Sequence, residues 1–387
     1  MDNLQKFYID GAWVSPDSTN TMPVINPATE QIVATVALGN AADVDRAVAA
    51  ANQAFKTFSM TSKQERLALL ERIKTVTEAR FEDLAQAMRE EMGAPITFAR
   101  EAQADAAIGH LQGFADALEQ LEEEIDLGNG ELLVREPIGV CGLITPWNWP
   151  INQIALKVLP ALAAGCTCVL KPSEHTPLSA IIYAEILHDA GCPPGVFNLV
   201  NGEGPEVGTA MSKHPDIQMM SFTGSTRAGT AVTHDSAESV KRVTLELGGK
   251  SANLVFADSD LEERVQNAVA ECMANTGQSC DAPTRLLVER SCYDEVVEIA
   301  RQATIATQVG DPTEEGNHIG PLFDRIQFDR VQTLIGVGID EGAHLIAGGL
   351  GKPEGLETGW YVKPTLFSDV HNQMRIAREE VFGPVLV

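Results

Sequence analysis

The sequence predicts an α/β fold built on a doubly wound parallel sheet. Three observations predict it. Between Gly139 and Leu245, short apolar runs alternate with amphipathic stretches at helical spacing. The runs have strand length and the stretches helix length, which is the pattern of a parallel sheet with helical crossovers. Each run ends on polar or glycine residues, and ligands of such sheets bind at the carboxyl ends of the strands.

The elements follow in order. The first forty residues read as short strands with turn signals at Asp10-Gly11 and Pro16-Asp17. Val44, Val48, Ala51 and Phe55 lie on one face of a helix that starts near Ala41. Leu67, Leu70, Ile73 and Val76 stripe a second helix over 62–76. Further helices are expected over 82–91 and 98–124, the last ending in Glu119, Glu122, Glu123 and Glu124 as a solvated face. Gly128-Asn129-Gly130 predicts a hairpin turn. Strands are then expected over 140–145, 167–170, 196–200, 219–223 and 243–245, with helices over 151–163, 178–189, 206–212 and 227–235 between them. A second alternating segment runs from Leu254-Val255-Phe256 to the end. The last residues, Phe382-Gly383-Pro384-Val385-Leu386-Val387, read as a buried strand. Domains usually finish on polar, frayed residues, so this ending predicts a truncated chain.

Composition narrows the function. With 387 residues, two or three folded units are expected. Against 28 basic residues stand 54 acidic ones, a net charge of −26. Nucleic-acid phosphates and anionic lipid both need a basic surface, so neither is an expected partner. The seven cysteines are Cys141, Cys166, Cys168, Cys192, Cys272, Cys280 and Cys292. An odd count in a chain this long reads as reduced thiols in a cytoplasm. No C-x-x-C and no H-E-x-x-H occurs, and no metal site is expected. The start carries no secretory pattern, and no apolar run reaches the roughly 18 residues of a membrane span.

Two motifs are decoys. Gly202-Glu203-Gly204 opens like a dinucleotide fingerprint, but the third position is Val207 and the glycine falls at Gly208. Gly249-Lys250-Ser251 ends like a phosphate loop, but its first glycine would be Thr244.

Four segments can carry chemistry. Thr145-Pro146-Trp147-Asn148-Trp149-Pro150 forms a proline-fixed corner at a strand end. It is either a packed aromatic turn or a mount for Asn148, whose amide can face a developing oxyanion. Lys171-Pro172-Ser173-Glu174 is either an ion pair or a grip on ribose hydroxyls. Phe222-Thr223-Gly224-Ser225-Thr226 opens a helix, as an N-cap or as a phosphate site. Leu245-Glu246-Leu247-Gly248-Gly249-Lys250 offers a carboxylate among glycines. Downstream, Gly277-Gln278-Ser279-Cys280 puts a thiol in a polar loop.

In this order, and followed by Glu379-Glu380-Val381-Phe382-Gly383-Pro384, these segments make the whole chain resemble the NAD(P)-dependent aldehyde dehydrogenase superfamily. The resemblance implies Cys280 as nucleophile, Glu246 as general base and Asn148 as oxyanion donor. It implies NAD as cofactor, with Lys171 and Glu174 on the adenosine ribose, Ser225 behind Gly224 on the pyrophosphate, and Glu380 on the nicotinamide ribose. Trp147 would line the cleft and Phe382 would lie beside the nicotinamide. The family's glycine pair falls on Gly204 and Gly208. Thr145, Pro146, Ser173, Phe222, Thr223, Leu247 and Gly248 complete the expected cofactor contacts. Ser279 and Asp281, flanking the nucleophile, should shape the aldehyde pocket. The implied domains are an NAD-binding domain over 1–118 and 138–247, an oligomerisation hairpin over 119–137, and a catalytic domain over 248–387, incomplete at its end. A homodimer or homotetramer is implied for the full-length protein. The other readings are a non-catalytic or inactive truncated member, and a CoA-acylating semialdehyde dehydrogenase.

Overall fold

In a computed structural model that describes residues 3–387, the chain forms two units. One comprises the residues up to Val24 with Ile32–Glu91 and Arg100–Leu247; the other comprises Ile25–Gln31, Met92–Ala99 and Gly248–Val387.

The chain starts with β1 (Phe7–Ile9) and β2 (Ala12–Val14), a hairpin in which Ile9 faces Ala12. Asp10 and Gly11 both take positive φ, as a two-residue hairpin turn requires. β3 (Thr21–Ile25) and β4 (Ile32–Ala37) form a second pair. Helices α1 (Ala41–Phe58) and α2 (Lys63–Ala79) each begin with a capping box, Asn40 with Asp43 and Ser62 with Glu65. Then come α3 (Phe81–Met92), the short α4 (Ile96–Phe98), a π-helical stretch (Ala99–Ala104) and α5 (Asp105–Gln120).

The single helix expected over 98–124 is therefore broken at its start by the π turn, and it stops at Gln120. Leu121 is extended, and Arg66 pairs with Glu123 while Arg135 N–H bonds the Glu123 carbonyl. These contacts draw the acids at 122–124 into a hairpin, β5 (Glu124–Asp126) with β6 (Leu132–Val134), rather than onto a helix face.

The parallel strands are β7 (Val140–Ile144), β8 (Thr167–Lys171), β9 (Phe197–Leu199), β10 (Met219–Gly224) and β11 (Arg242–Leu247). Their crossovers are α6 (Pro150–Ala163), α7 (Pro177–Asp189), α8 (Thr209–Lys213) and α9 (Thr226–Ser236). A π turn over Gly204–Gly208 precedes α8, so the helix expected from 206 starts irregularly. The order across the sheet is β11-β10-β7-β8-β9-β1-β2, with β1 antiparallel to β9. The chain thus steps from β7 to β8 and β9, then returns to the other side of β7. The switch point of this doubly wound sheet lies between β7 and β10, and such points open a ligand crevice at the strands' carboxyl ends.

The second unit contains β12 (Ala252–Val255), α10 (Leu261–Met273), β13 (Arg285–Val288), α11 (Tyr293–Ala306), α12 (Arg325–Asp340), β14 (His344–Ala347), β15 (Thr365–Ser368), α13 (Arg375–Arg378) and β16 (Val385–Leu386). β12 pairs with β13, and β15 lies between β14 and β16. Leu286 N–H to the Val387 carbonyl and Val387 N–H to the Thr284 carbonyl join the two groups of strands. Val265, Val269, Val296, Leu366 and Leu386 pack as its core.

One capping arrangement was invisible in the sequence. Thr176, at the N-cap of α7, makes no side-chain cap bond. Glu91 of α3 takes that role across the fold: its carboxylate accepts from Leu178 N–H at 2.6 Å and Ser179 N–H at 3.1 Å. Glu91 is fully buried. Burial pushes its pKa up to about 7, although the Ser179 and Leu178 N–H groups favour the charge. Glu91→Ala should cost about 1–3 kcal/mol by orphaning two helix-terminal donors, read by denaturant unfolding. Because the folded state holds the Glu91 proton more tightly, Glu91's contribution is greatest below pH about 4.5 and declines as pH rises to about 7. The stability gap between wild type and Glu91→Ala should shrink across that window; a gap that is flat or widens contradicts the assignment.

Candidate active site

The switch point gathers buried polar atoms that the protein leaves without partners. Thr145 follows β7 and Thr223 lies near the end of β10, on neighbouring strands. Both are buried, and neither hydroxyl has a hydrogen-bond partner. Asn201, just past β9, is fully buried with both side-chain amide atoms unpartnered. Buried polar groups in folded proteins are nearly always satisfied, so a row of orphans along one edge of a sheet calls for a ligand or ordered water.

Between these strand ends, β8 delivers Lys171. Its ammonium donates to the Glu174 carboxylate at 2.8 Å, the Pro172 carbonyl at 2.8 Å and the Gly202 carbonyl at 2.7 Å. All three protons are committed within the chain, so the pair is a buried structural bridge as it stands. Burial works against Glu174's charge, but Lys171 outweighs it and holds the carboxyl below its ordinary pKa. Ser173 is buried, and its hydroxyl accepts from His175 N–H at 3.3 Å. Gly208 brings its backbone to this side: an added Cβ would lie 3.9 Å from Lys171 Cδ and 3.6 Å from Ile144. Gly204, at the other end of the π turn, has open space around it.

Phe222 is buried beneath Gly224. Ser225 is the N-cap of α9, its hydroxyl accepting from Ala228 N–H at 3.3 Å. Capping uses only the acceptor side, and the hydroxyl proton remains available to an anion. In the corner, Pro146 and Trp147 are half-buried and Asn148 is buried. Pro150 is the first residue of α6, a position where proline's fixed φ is favourable.

Glu246 lies on the edge strand β11, opposite Thr223, and is exposed, while Leu247 is half-buried. Sequence reading missed its neighbour. Lys157, on α6, is buried, and its ammonium donates to Ser221 Oγ at 2.9 Å. Burial pushes its pKa down to about 8 against the pull of Glu246. The available signal was a lone cation in the apolar run Ile154-Ala155-Leu156-Lys157-Val158-Leu159.

In the second unit, the thiol loop is held in an unusual shape. Asn275, Thr276 and Gly277 are three consecutive left-handed residues, with φ of 52°, 56° and 69°. A β-branched residue rarely adopts this conformation. Several bonds impose it: Thr276 Oγ1 donates to the Gly320 carbonyl, Asn275 and Gln278 amides donate to each other's carbonyls, and Phe323 N–H donates to Gln278 Oε1. Gly277 has no room for a side chain, since a Cβ would stand 2.1 Å from the Gly383 carbonyl oxygen. Emerging from this loop, Cys280 is half-buried, whereas the other six cysteines are buried. Ser279 is half-buried and Asp281 exposed.

Glu380 lies over Gly248 and accepts from Gly249 N–H at 3.1 Å. Burial raises its pKa, against the Gly249 N–H and the nearby cations Arg330 and Lys250. Arg330 and Gln327 of α12 hold this segment by its backbone, bonding the carbonyls of Glu380, Val381 and Phe382. Phe382 itself takes φ of 57°.

Comparison with known proteins identifies the family. Residues 13–387 fit the pattern of the aldehyde dehydrogenase family. A 3-succinoylsemialdehyde-pyridine dehydrogenase from a Pseudomonas species is 54% identical over 387 residues, covering all of this chain and 81% of its own. The crystal structure of an aldehyde dehydrogenase from Bartonella henselae has a TM-score of 0.97 at 50% identity, covering 99% of this chain and 81% of that one. Aldehyde dehydrogenase C from Pseudomonas syringae, a cysteine-to-alanine variant solved with NAD+ and octanal, has a TM-score of 0.98 at 53% identity and covers 100% of this chain and 79% of that one. The chain belongs to the aldehyde dehydrogenase family and is an oxidoreductase acting on aldehydes.

Proposed function

We propose that the chain oxidises an aldehyde to its carboxylic acid with NAD, through a thioester on Cys280 that water activated by Glu246 hydrolyses. The observation that carries this reading is the exposure pattern of the thiols: six are buried, and the one in the strained polar loop reaches the surface.

The steps follow from residue types. The Cys280 thiolate adds to the aldehyde carbon and forms a carbon–sulfur bond, giving a thiohemiacetal alkoxide. The Asn148 amide and the Cys280 backbone N–H donate to that oxygen. NAD held at the strand ends by Thr145, Thr223 and Ser225 would supply the hydride acceptor, and loss of hydride from the Cys280 adduct leaves a thioester on that sulfur. The Glu246 carboxylate takes a proton from water, whose oxygen attacks the thioester; the carboxylic acid leaves and the thiolate returns. Lys157, beside Glu246 and with its pKa pushed down to about 8 by burial, is suited to pass a proton on.

The cofactor reading draws support from the orphaned Thr145, Thr223 and Asn201 atoms, the α9 N-terminus at Ser225, and Glu174. Trp147, Gly208, Phe222, Leu247 and Gly248 complete that contact set, with Glu380 and Phe382 for the nicotinamide end. A carboxylate at Glu174 accepts from a ribose 2′-hydroxyl and repels a 2′-phosphate, which favours NAD over NADP. The substrate reading is an uncharged or pyridine-bearing aldehyde, since octanal and a pyridine semialdehyde appear with the relatives. The exposed carboxylate of Asp281 beside the thiol opposes acidic semialdehydes. Seven free thiols suit a reducing cytoplasm, and the exposed Leu132, Leu133 and Val134 of β6 suit assembly of copies into a dimer or tetramer.

Three outcomes test this. Cys280→Ala should abolish NAD reduction; wild-type turnover would refute the nucleophile. Glu246→Gln should leave one turnover of NADH formation but slow steady-state turnover by about 10²–10⁴-fold. Recovery of full turnover only on adding CoA to the wild type would instead favour thiol transfer. NAD should exceed NADP in kcat/KM, and Glu174→Gln should narrow that ratio; a wild-type preference for NADP would overturn the Glu174 assignment.

A further inference from the structure

The corner 145–150 raises a mechanical question. Pro146 and Pro150 have no N–H to give, and Trp149, the N-cap of α6, makes no side-chain cap bond. An oxyanion donor on such a corner must still be held to within a fraction of an ångström, because a donor out of place contributes little.

A bond from outside the corner supplies the hold. Gln103 is fully buried, and its side-chain amide donates to the backbone carbonyl of Asn148 at 3.1 Å. Gln103 sits in the π-helical stretch Ala99–Ala104. A π turn takes up one more residue than an α turn and so re-aims the side chains it carries; such turns are frequent at functional sites. The chain departs from α geometry here, breaking an otherwise regular helix, at the residue that reaches Asn148. A hydrogen bond to that carbonyl fixes the peptide plane between Asn148 and Trp149, and with it the origin and direction of the Asn148 side chain.

We infer that Gln103 is a positioning residue for the oxyanion donor, acting on the reaction only through Asn148. The inference rests on the role proposed for Asn148. It separates Gln103 from an ordinary core contact, whose loss would lower stability without a specific effect on the chemical step.

A double-mutant cycle in the full chain tests it, with single-turnover NADH formation as the readout. Gln103→Met keeps the length of the side chain and removes the donor. It should slow NADH formation by about 10-fold or more while leaving KM for NAD within about twofold, approaching the 10²–10³-fold expected for Asn148→Ala. The double variant should be no slower than Asn148→Ala alone, because the two residues act as one unit. Additive losses, or a Gln103→Met rate within about twofold of wild type, overturn the inference. If Asn148→Ala itself reacts at the wild-type rate, the donor role falls and the Gln103 role with it; if only Gln103→Met is normal, the donor role stands. Gln103→Glu gives a second measurement should the methionine variant misfold. A carboxyl can donate to the carbonyl only when protonated, so its rate relative to wild type should rise as pH falls, and a pH-independent ratio counts against the hold.

Discussion

The return of the chain to the far side of β7 is the constraint on which the rest depends. Reversing the strand order between β7 and β10 leaves a crevice that no crossover helix fills. The residues at its edge, Thr145, Thr223 and Asn201, are too buried to be hydrated freely and have no partners in the chain. An unpaired buried polar group costs about 1–3 kcal/mol. Three of them along the carboxyl edge of one sheet, at the ends of β10, β7 and β9, are tolerable if a ligand or ordered water returns the bonds on binding. Other buried polar atoms without partners, among them Tyr183 Oη and Thr304 Oγ1, lie elsewhere in the chain; what marks this edge is that four such atoms line the carboxyl ends of one sheet.

Three lysines with buried ammonium groups show how one residue type is put to different uses by its surroundings. Lys171 is saturated by a carboxylate and two carbonyls, and serves as a fixed post. Lys157 has a single hydroxyl partner and the field of Glu246, which leaves its proton removable near neutrality. Lys250 has no partner for its ammonium, and burial pushes its pKa down to about 8. Cys272 and Glu380 restore part of the charge and Arg285 opposes it. Burial opposes the charge of Lys157 and Lys250, and the few acceptors around each leave that cost only partly offset.

Much of this was legible from the residues. Alternation of apolar runs with helical stripes located the five parallel strands to within a residue or two; the central strands β7, β8 and β9 are buried along their length, while the edge strand β11 alternates exposed and half-buried residues. The motifs brought Lys171 beside Glu174 and Glu380 onto Gly248 because those pairs are short-range or glycine-marked. What escaped was long-range. Glu91 caps a helix 87 residues away, and Gln103 reaches Asn148 across 45 residues; neither contact leaves a local pattern. The helix drawn through to 124 failed for a related reason. Its stop is set by Arg66 and Arg135, which bond residues 122 and 123 from distant positions. An acidic run reads as a solvated helix face only while no cation comes to claim it.

The loop that carries Cys280 illustrates why a strained conformation can persist. Left-handed Thr276 and Phe382 each cost of order 1–3 kcal/mol relative to relaxed backbone. Neither residue gains locally from that geometry. Both are over-determined by their surroundings: Thr276 by its bond to Gly320, Phe382 by Gln327 of α12, and the turn between them by the contact of Gly277 with Gly383. Because Gly277 admits no Cβ against that carbonyl, the thiol loop and the Glu380–Phe382 segment meet backbone to backbone. Neither can relax without displacing the other. The strain thus couples the thiol loop to the segment that carries Glu380, so that the two are held in one geometry or lost together.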